Sequence, residues 1–206
     1  GKARGLAFAR FLIKQSGIEK EFEDVTIRVP DCAVVGTYEF DQFMKDNQLW
    51  QKALNIDDNQ KLERAFKKAR LSIDLILKLE SFILDHKSPL AVRSSSLLED
   101  SQYQPLAGSY KTIMLPNNSR STKKRLNELV IAIKSVFAST FKGEAKSLLD
   151  STGHRIEEEK MAVVIQEIVG QSYKSKRFYP TFSGVLKSIN YYPVSYMKRN
   201  EGVAYL

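Results

Sequence analysis

Met161-Ala162-Val163-Val164-Ile165-Gln166-Glu167-Ile168-Val169 is the stretch that most narrows what this chain can fold into. It is too apolar and too β-branched for a surface helix, and it predicts a strand buried on both faces for most of its length. Gln166 and Glu167 stand out inside it as polar residues in an apolar run.

A second strand candidate carries more chemistry. Leu90-Ala91-Val92 delivers Arg93 to the triple serine Ser94-Ser95-Ser96, Glu99 and Asp100 follow, and another apolar strand through Thr112 and Ile113 begins after the small corner Ala107-Gly108. Arginine offers a planar fork of donors that matches phosphate oxygens. A serine run adds hydroxyls and closely spaced backbone N–H groups that can curl into an anion-holding concavity. A serine-rich turn with a surface arginine is the competing reading of the same residues.

The rest of the chain alternates helical and extended patterns. Leu6, Phe8, Ala9, Leu12 and Ile13 predict a helix over residues 1–16, stopped by Gly17. Val25 to Pro30 reads as a strand ending in proline, and Cys32 to Val35 as another. Thr37 is the expected N-cap of a helix with Glu39 and Asp41 in its first turn and Phe40, Phe43 and Met44 on its apolar face. Leu62, Phe66, Ala69, Ile73, Ile76, Leu77 and Phe82 predict one long helix from about Asp58 to Leu84, broken by Asp85 to Pro89. The cleanest helical period is Leu126, Leu129, Val130, Ile133, Val136, Phe137 and Phe141. Gly170 to Lys176 reads as a polar, basic loop, and Ser183 to Ile189 as a returning strand. Glu201 to Leu206 lacks a cap or polar tail and reads as a segment cut in mid-element.

Bulk properties bound the partners. The 206 residues suffice for one domain or two small lobes with a real core. No window approaches the ~18 consecutive apolar residues of a membrane helix, and no signal-peptide h-region follows Gly1-Lys2-Ala3-Arg4, so no membrane is expected. The single cysteine, Cys32, cannot form an internal disulfide; its apolar neighbours predict a buried thiol and a cytoplasmic setting. A net charge of +8 favours an anionic ligand. Its basic residues alternate with acids and leucines, as over Lys61 to Lys78, and no arginine-rich run interleaves with aromatics, so nucleic acid is not the expected partner.

Several catalytic patterns are missing from the sequence. It contains neither a P-loop nor a G-x-G-x-x-G after a strand. One cysteine and two distant histidines do not make a metal site, and His86 and His154 are poorly placed to serve as the base of a serine hydrolase. What remains is a lysine beside glycine at the start, Arg93 on its serine turn, a glycine before the next strand, and the Gln166-Glu167 break. Lysine supplies a point charge for phosphates, and a strand edge can pair with an adenine rim.

Taken in this order, these residues resemble the N-terminal nucleotide-binding domain of phosphoenolpyruvate synthases and pyruvate phosphate dikinases, an ATP-grasp fold also similar to that of rifampicin phosphotransferases. Gly1-Lys2-Ala3-Arg4-Gly5-Leu6 looks like the family's Gly-Gly-Lys-x-x-x-Leu start. Ile27 to Val35 with Phe40 and Phe43 resembles its V-P-x-G-F segment. Ala91-Val92-Arg93-Ser94-Ser95 with Glu99-Asp100 and Leu106-Ala107-Gly108 looks like V-R-S-S-A-x-x-E-D…F-A-G. Met161 to Val169 is similar to M-A-V-V-V-Q-x-M-V, and Ser183-Gly184-Val185 to S-G-V.

The resemblance implies an α+β fold with two lobes of mixed or antiparallel sheet flanked by amphipathic helices, divided as residues 1–88 and 89–206, and incomplete at its C-terminus. It implies that Lys2 and Arg93 contact ATP phosphates and act in phosphoryl transfer. Gly108 and Thr112 would lie in the loop closing over the phosphates, and Gln166 with the backbone of Glu167, Ile168 and Val169 would line the adenine pocket. Mg²⁺ would be held by acids beyond Leu206, and phosphohistidine and acceptor-binding domains of the same parent chain would be the partners. Leu186-Lys187-Ser188-Ile189 departs from the family's F-T-x-D-P, Asp31-Cys32 from its glycine-aromatic pair, and Ser109 from its usual glutamine. The altered strand leaves a non-catalytic regulatory or partner-binding module as the alternative.

Overall fold

The computed structural model describes residues 1–96, 99, 108, 110–143, 146, 158–174 and 177–206. Asp100, Leu106, Ala107 and His154, on which parts of the sequence argument rest, lie outside the described residues. Four strands, β1 (Cys32–Val35), β2 (Leu90–Ser96), β3 (Thr112–Leu115) and β4 (Met161–Glu167), form an antiparallel sheet in the order β1-β4-β2-β3. The β-branched run is thus an interior strand, flanked along its length by β2 and at one end by β1.

Strand alternation divides this sheet into two faces. Leu90, Val92, Met161, Val163 and Ile165 enter the hydrophobic core. Their cross-strand registers put Ala91, Arg93, Ser95, Thr112, Met114, Val164 and Gln166 on the other face.

Six α-helices are found among the described residues: α1 (Lys2–Ser16), α2 (Thr37–Asp46), α3 (Leu49–Asn55), α4 (Asn59–Lys68), α5 (Ile73–Asp85) and α6 (Thr122–Ser139). Helix α6 packs on β2, β3 and β4. Its Phe137 is fully buried and meets Phe40 of α2 edge-on, with ring centroids 5.1 Å apart. Ser121 caps α6 by accepting from the Lys124 amide. Helix α1 is different in kind: Gly17 ends it in a left-handed conformation, and it buries none of its residues.

Several expected elements differ. The long helix from Asp58 to Leu84 is two helices. Ala69 is extended, Ser72 caps α5 through the Leu75 amide, and the Asn47 side chain brackets Arg70 by accepting from its N–H and donating to its C=O, both at 2.8 Å. Val25 to Pro30 forms no strand: among the described residues no neighbour pairs with it, and Val25 is left exposed. Helix α2 is capped by Gly36, one residue before Thr37, which is its first helical residue.

The chain divides into two compact units, Gly1–Ile168 and Val169–Leu206. The second contains two hairpins, β5 (Gln171–Tyr173) with β6 (Arg177–Tyr179) and β7 (Val185–Lys187) with β8 (Val203–Tyr205). The basic stretch read as a loop from Gly170 therefore includes β5, held by Tyr173 stacked on Tyr179 across the pair at 4.0 Å. Gly184 precedes β7 where a Cβ would sit 2.4 Å from the Tyr205 carbonyl oxygen, so the backbones approach as only glycine permits.

Candidate functional site

Arg93 gets its place from a node at the start of β2. The Asn117 side chain, on a residue with φ 49°, donates to the carbonyls of His86 and Ser88 at 2.9 Å each. Arg125, buried in α6, donates to the same His86 carbonyl at 3.1 Å and to Asn117 Oδ1 at 3.3 Å. The end of α5, the entry to β2 and the first turns of α6 are tied at one point. His86 is structural: its ring stacks on Phe82 with centroids 4.1 Å apart, and Nδ1 lies 2.9 Å from the Phe82 carbonyl oxygen.

From that start, alternation places Arg93 on the face away from α6, where it is half-buried. Its Nη1 donates to Gln166 Oε1 at 3.4 Å, and Thr112 is its cross-strand partner in β3. Three residues expected at one site therefore share one sheet face: Arg93, Thr112 and Gln166. Cys32 pairs with Gln166 across β1 and is half-buried, whereas the sequence suggested a core thiol. It sits at the end of an edge strand, on the face opposite α6.

The remaining expected residues are placed differently. The Glu167 amide donates to Asp31 O at 3.0 Å and the Ile168 amide to Pro89 O at 2.8 Å, so those N–H groups are committed to the protein. Val169 is exposed and belongs to the second unit. Gly108 has φ +84°, with open space where a side chain would stand.

Lys2 is ion-paired with Glu99. Glu99 is also the acceptor for Ser94 Oγ at 3.2 Å, and its own amide donates to Ser96 Oγ at 3.2 Å. The serine run does not present its hydroxyls as an open anion cradle. All three serines are buried, and Ser94 and Ser96 alternate onto the core side, where Ser94 holds the Glu99 carboxylate and Ser96 its amide. Tyr110 lies close by; its hydroxyl donates to Glu159 Oε1 at 2.9 Å. Burial, then the charge and hydrogen bond of Glu159, pushes this phenol far above its usual range. Sequence reasoning quoted Glu99 only as part of a motif and gave Tyr110 no role.

A second charged group stands beside β3. Lys111 donates to Glu63 Oε1 at 3.2 Å, Lys67 pairs with the same oxygen at 2.8 Å, and Lys142 with Oε2 at 2.5 Å. Burial alone would raise the Glu63 carboxyl, but the bonds from Lys142, Lys67 and Lys111 outweigh it and hold it at about 2. No group of three or more His, Cys, Asp or Glu side chains able to hold a metal ion is found among the described residues. No helix among them is long and apolar enough to cross a membrane.

One sheet face of this α+β scaffold thus carries an arginine, a hydroxyl and an amide, groups able to bond an anion. Over residues 1–203 the chain matches the family "Pyruvate phosphate dikinase, AMP/ATP-binding domain", and it belongs to that family. It is also similar to a Bacillus subtilis (strain 168) protein described as "Uncharacterized phosphotransferase YvkC", with 28% identity over 141 residues, which cover 68% of this chain and 16% of that protein.

Proposed function

We propose that this domain binds ATP around Arg93 of β2 as part of an ATP-grasp unit. In this reading Lys2 and Arg93 meet the phosphates, Gly108 and Thr112 belong to the loop closing over them, and Gln166 with the Glu167 to Val169 backbone borders the adenine. The observation that carries it is the convergence of Arg93, Thr112 and Gln166 on one face, from three strands whose registers fix their spacing. The Glu167 and Ile168 amides are already committed within the protein and are not the groups that would meet an adenine rim.

In the intact protein, the terminal phosphoryl group would pass from ATP to a histidine on a separate domain and then to a small acceptor such as pyruvate. Arg93 and Lys2 would stabilise the charge that develops on the transferred group and keep it in line. Mg²⁺ would neutralise phosphate charge in such a transfer, held by ligands proposed to lie beyond Leu206. The proposed setting is cytoplasmic.

Calorimetry of ATP·Mg binding to the intact protein tests the reading. Binding that weakens in Arg93→Ala is the expected result; unchanged affinity in that variant refutes the site. ATP binding without transfer to any histidine would favour the regulatory alternative, which the departure at Leu186 to Ile189 motivates. Affinity that falls steeply with salt and ignores ATP would instead indicate nucleic acid.

A further inference from the structure

Helix α1 buries none of its residues fully, and one side of it, Lys2, Ala3, Leu6, Ala9 and Ile13, is half-buried. A charge contact holds the head of Lys2. Lys2 pairs with Glu99, whose side chain is fixed from the sheet: Ser94 Oγ donates to Oε1 at 3.2 Å, and the Glu99 amide donates to Ser96 Oγ at 3.2 Å. Glu99 is 6% exposed. Lys2 Nζ and Glu99 Oε2 are both shielded from solvent, and neither makes an aligned hydrogen bond among the described residues.

We infer that Glu99 is a positioning residue for Lys2, a buried counter-ion that holds the ammonium in place for an anionic ligand. An ammonium has three N–H donors, and a single carboxylate contact leaves capacity that phosphate oxygens can take up. Moving Lys2 wholly onto a ligand would leave a buried carboxylate without its cation, a strongly unfavourable state, so the pair persists when the ligand binds. Glu99 therefore aids the ligand through Lys2 rather than competing for it. Because Ser94 adjoins Arg93 in β2, the same strand sets both cations, Arg93 directly and Lys2 through Ser94 and Glu99. This inference rests on the reading that Lys2 meets nucleotide phosphates.

The test is titration of the intact protein with ATP·Mg and, separately, adenosine. Wild type, Lys2→Met, Glu99→Gln, the double variant and Ser94→Ala are compared. Glu99→Gln is expected to weaken ATP by about tenfold, to leave adenosine unchanged, and to add nothing in the Lys2→Met background. Ser94→Ala removes the hydroxyl that orients Glu99 without uncovering a charge. It is expected to weaken ATP about threefold with adenosine unaffected, which keeps the test open should Glu99→Gln fail to fold. If Lys2→Met weakens ATP while Glu99→Gln and Ser94→Ala bind as wild type, the inference fails and the nucleotide reading stands. Equal losses for ATP and adenosine, or losses that add to Lys2→Met, also overturn it, since they mark a merely structural role. A wild-type protein that takes no ATP overturns the nucleotide reading, and this inference with it.

Discussion

Val92 and Arg93 are neighbours in β2 and face opposite ways. Val92 is fully buried in the core with Ile165 and Val163, whereas Arg93 lies on the far face beside Gln166 and opposite Thr112. One face of these strands holds the fold and the other carries the candidate chemistry. The period-two alternation of a strand makes that separation possible, since adjacent residues need share neither solvent nor neighbours.

The separation predicts where substitutions will act. Phe137→Ala, on the core side, should lower unfolding free energy by about 3–5 kcal/mol in a denaturant titration, with affinity of the remaining folded protein unaltered. A change in affinity at constant stability would break the comparison. Glu63 sharpens it, because this core-side carboxylate is bonded by Lys111, the residue before Thr112. Its folded pKa of about 2 lies below the ordinary 4.5, so the stabilisation is full above about pH 4.5 and is lost as pH falls towards 2. At ~1.4 kcal/mol per pKa unit, discounted for solvent around Lys67 and Lys111, this is about 2 kcal/mol. Glu63→Gln should thus destabilise at neutral pH and flatten the acid limb of a stability profile; parallel profiles would show that the three lysines do not act on it. Arg93→Ala, on the far face, should leave stability within ~0.5 kcal/mol while weakening ATP about ten- to thirtyfold, some 1.5–2 kcal/mol. Loss of stability without loss of affinity would assign Arg93 to the scaffold.

Features governed by local pattern were legible in the sequence. The β-branched run of β4 announced an interior strand, and the leucine and phenylalanine spacing of α6 announced its buried stripe. The Arg93 motif led to the family, which matches residues 1–203. What depended on distant partners was not legible. The break between α4 and α5 is imposed by Asn47, 23 residues upstream of Arg70, while the apolar spacing runs on through it. The inward turn of Ser94 and Ser96 follows from strand register, and nothing in three identical letters distinguishes the two hydroxyls that hold Glu99 from the one between them. Strands as short as β5 and β6 carry too few residues for a period to show, and pairing rather than composition defines them.

The carbonyl of His86 accepts from both Asn117 and Arg125, so two later segments take their bearings from one oxygen just ahead of β2. That oxygen works as a surveyor's benchmark. A slip of β2 by one residue would send Arg93 into the hydrocarbon layer and Val92 to the far face, and it would first have to break both bonds. The orientation of the arginine is thus guarded seven residues upstream, by groups that never touch it.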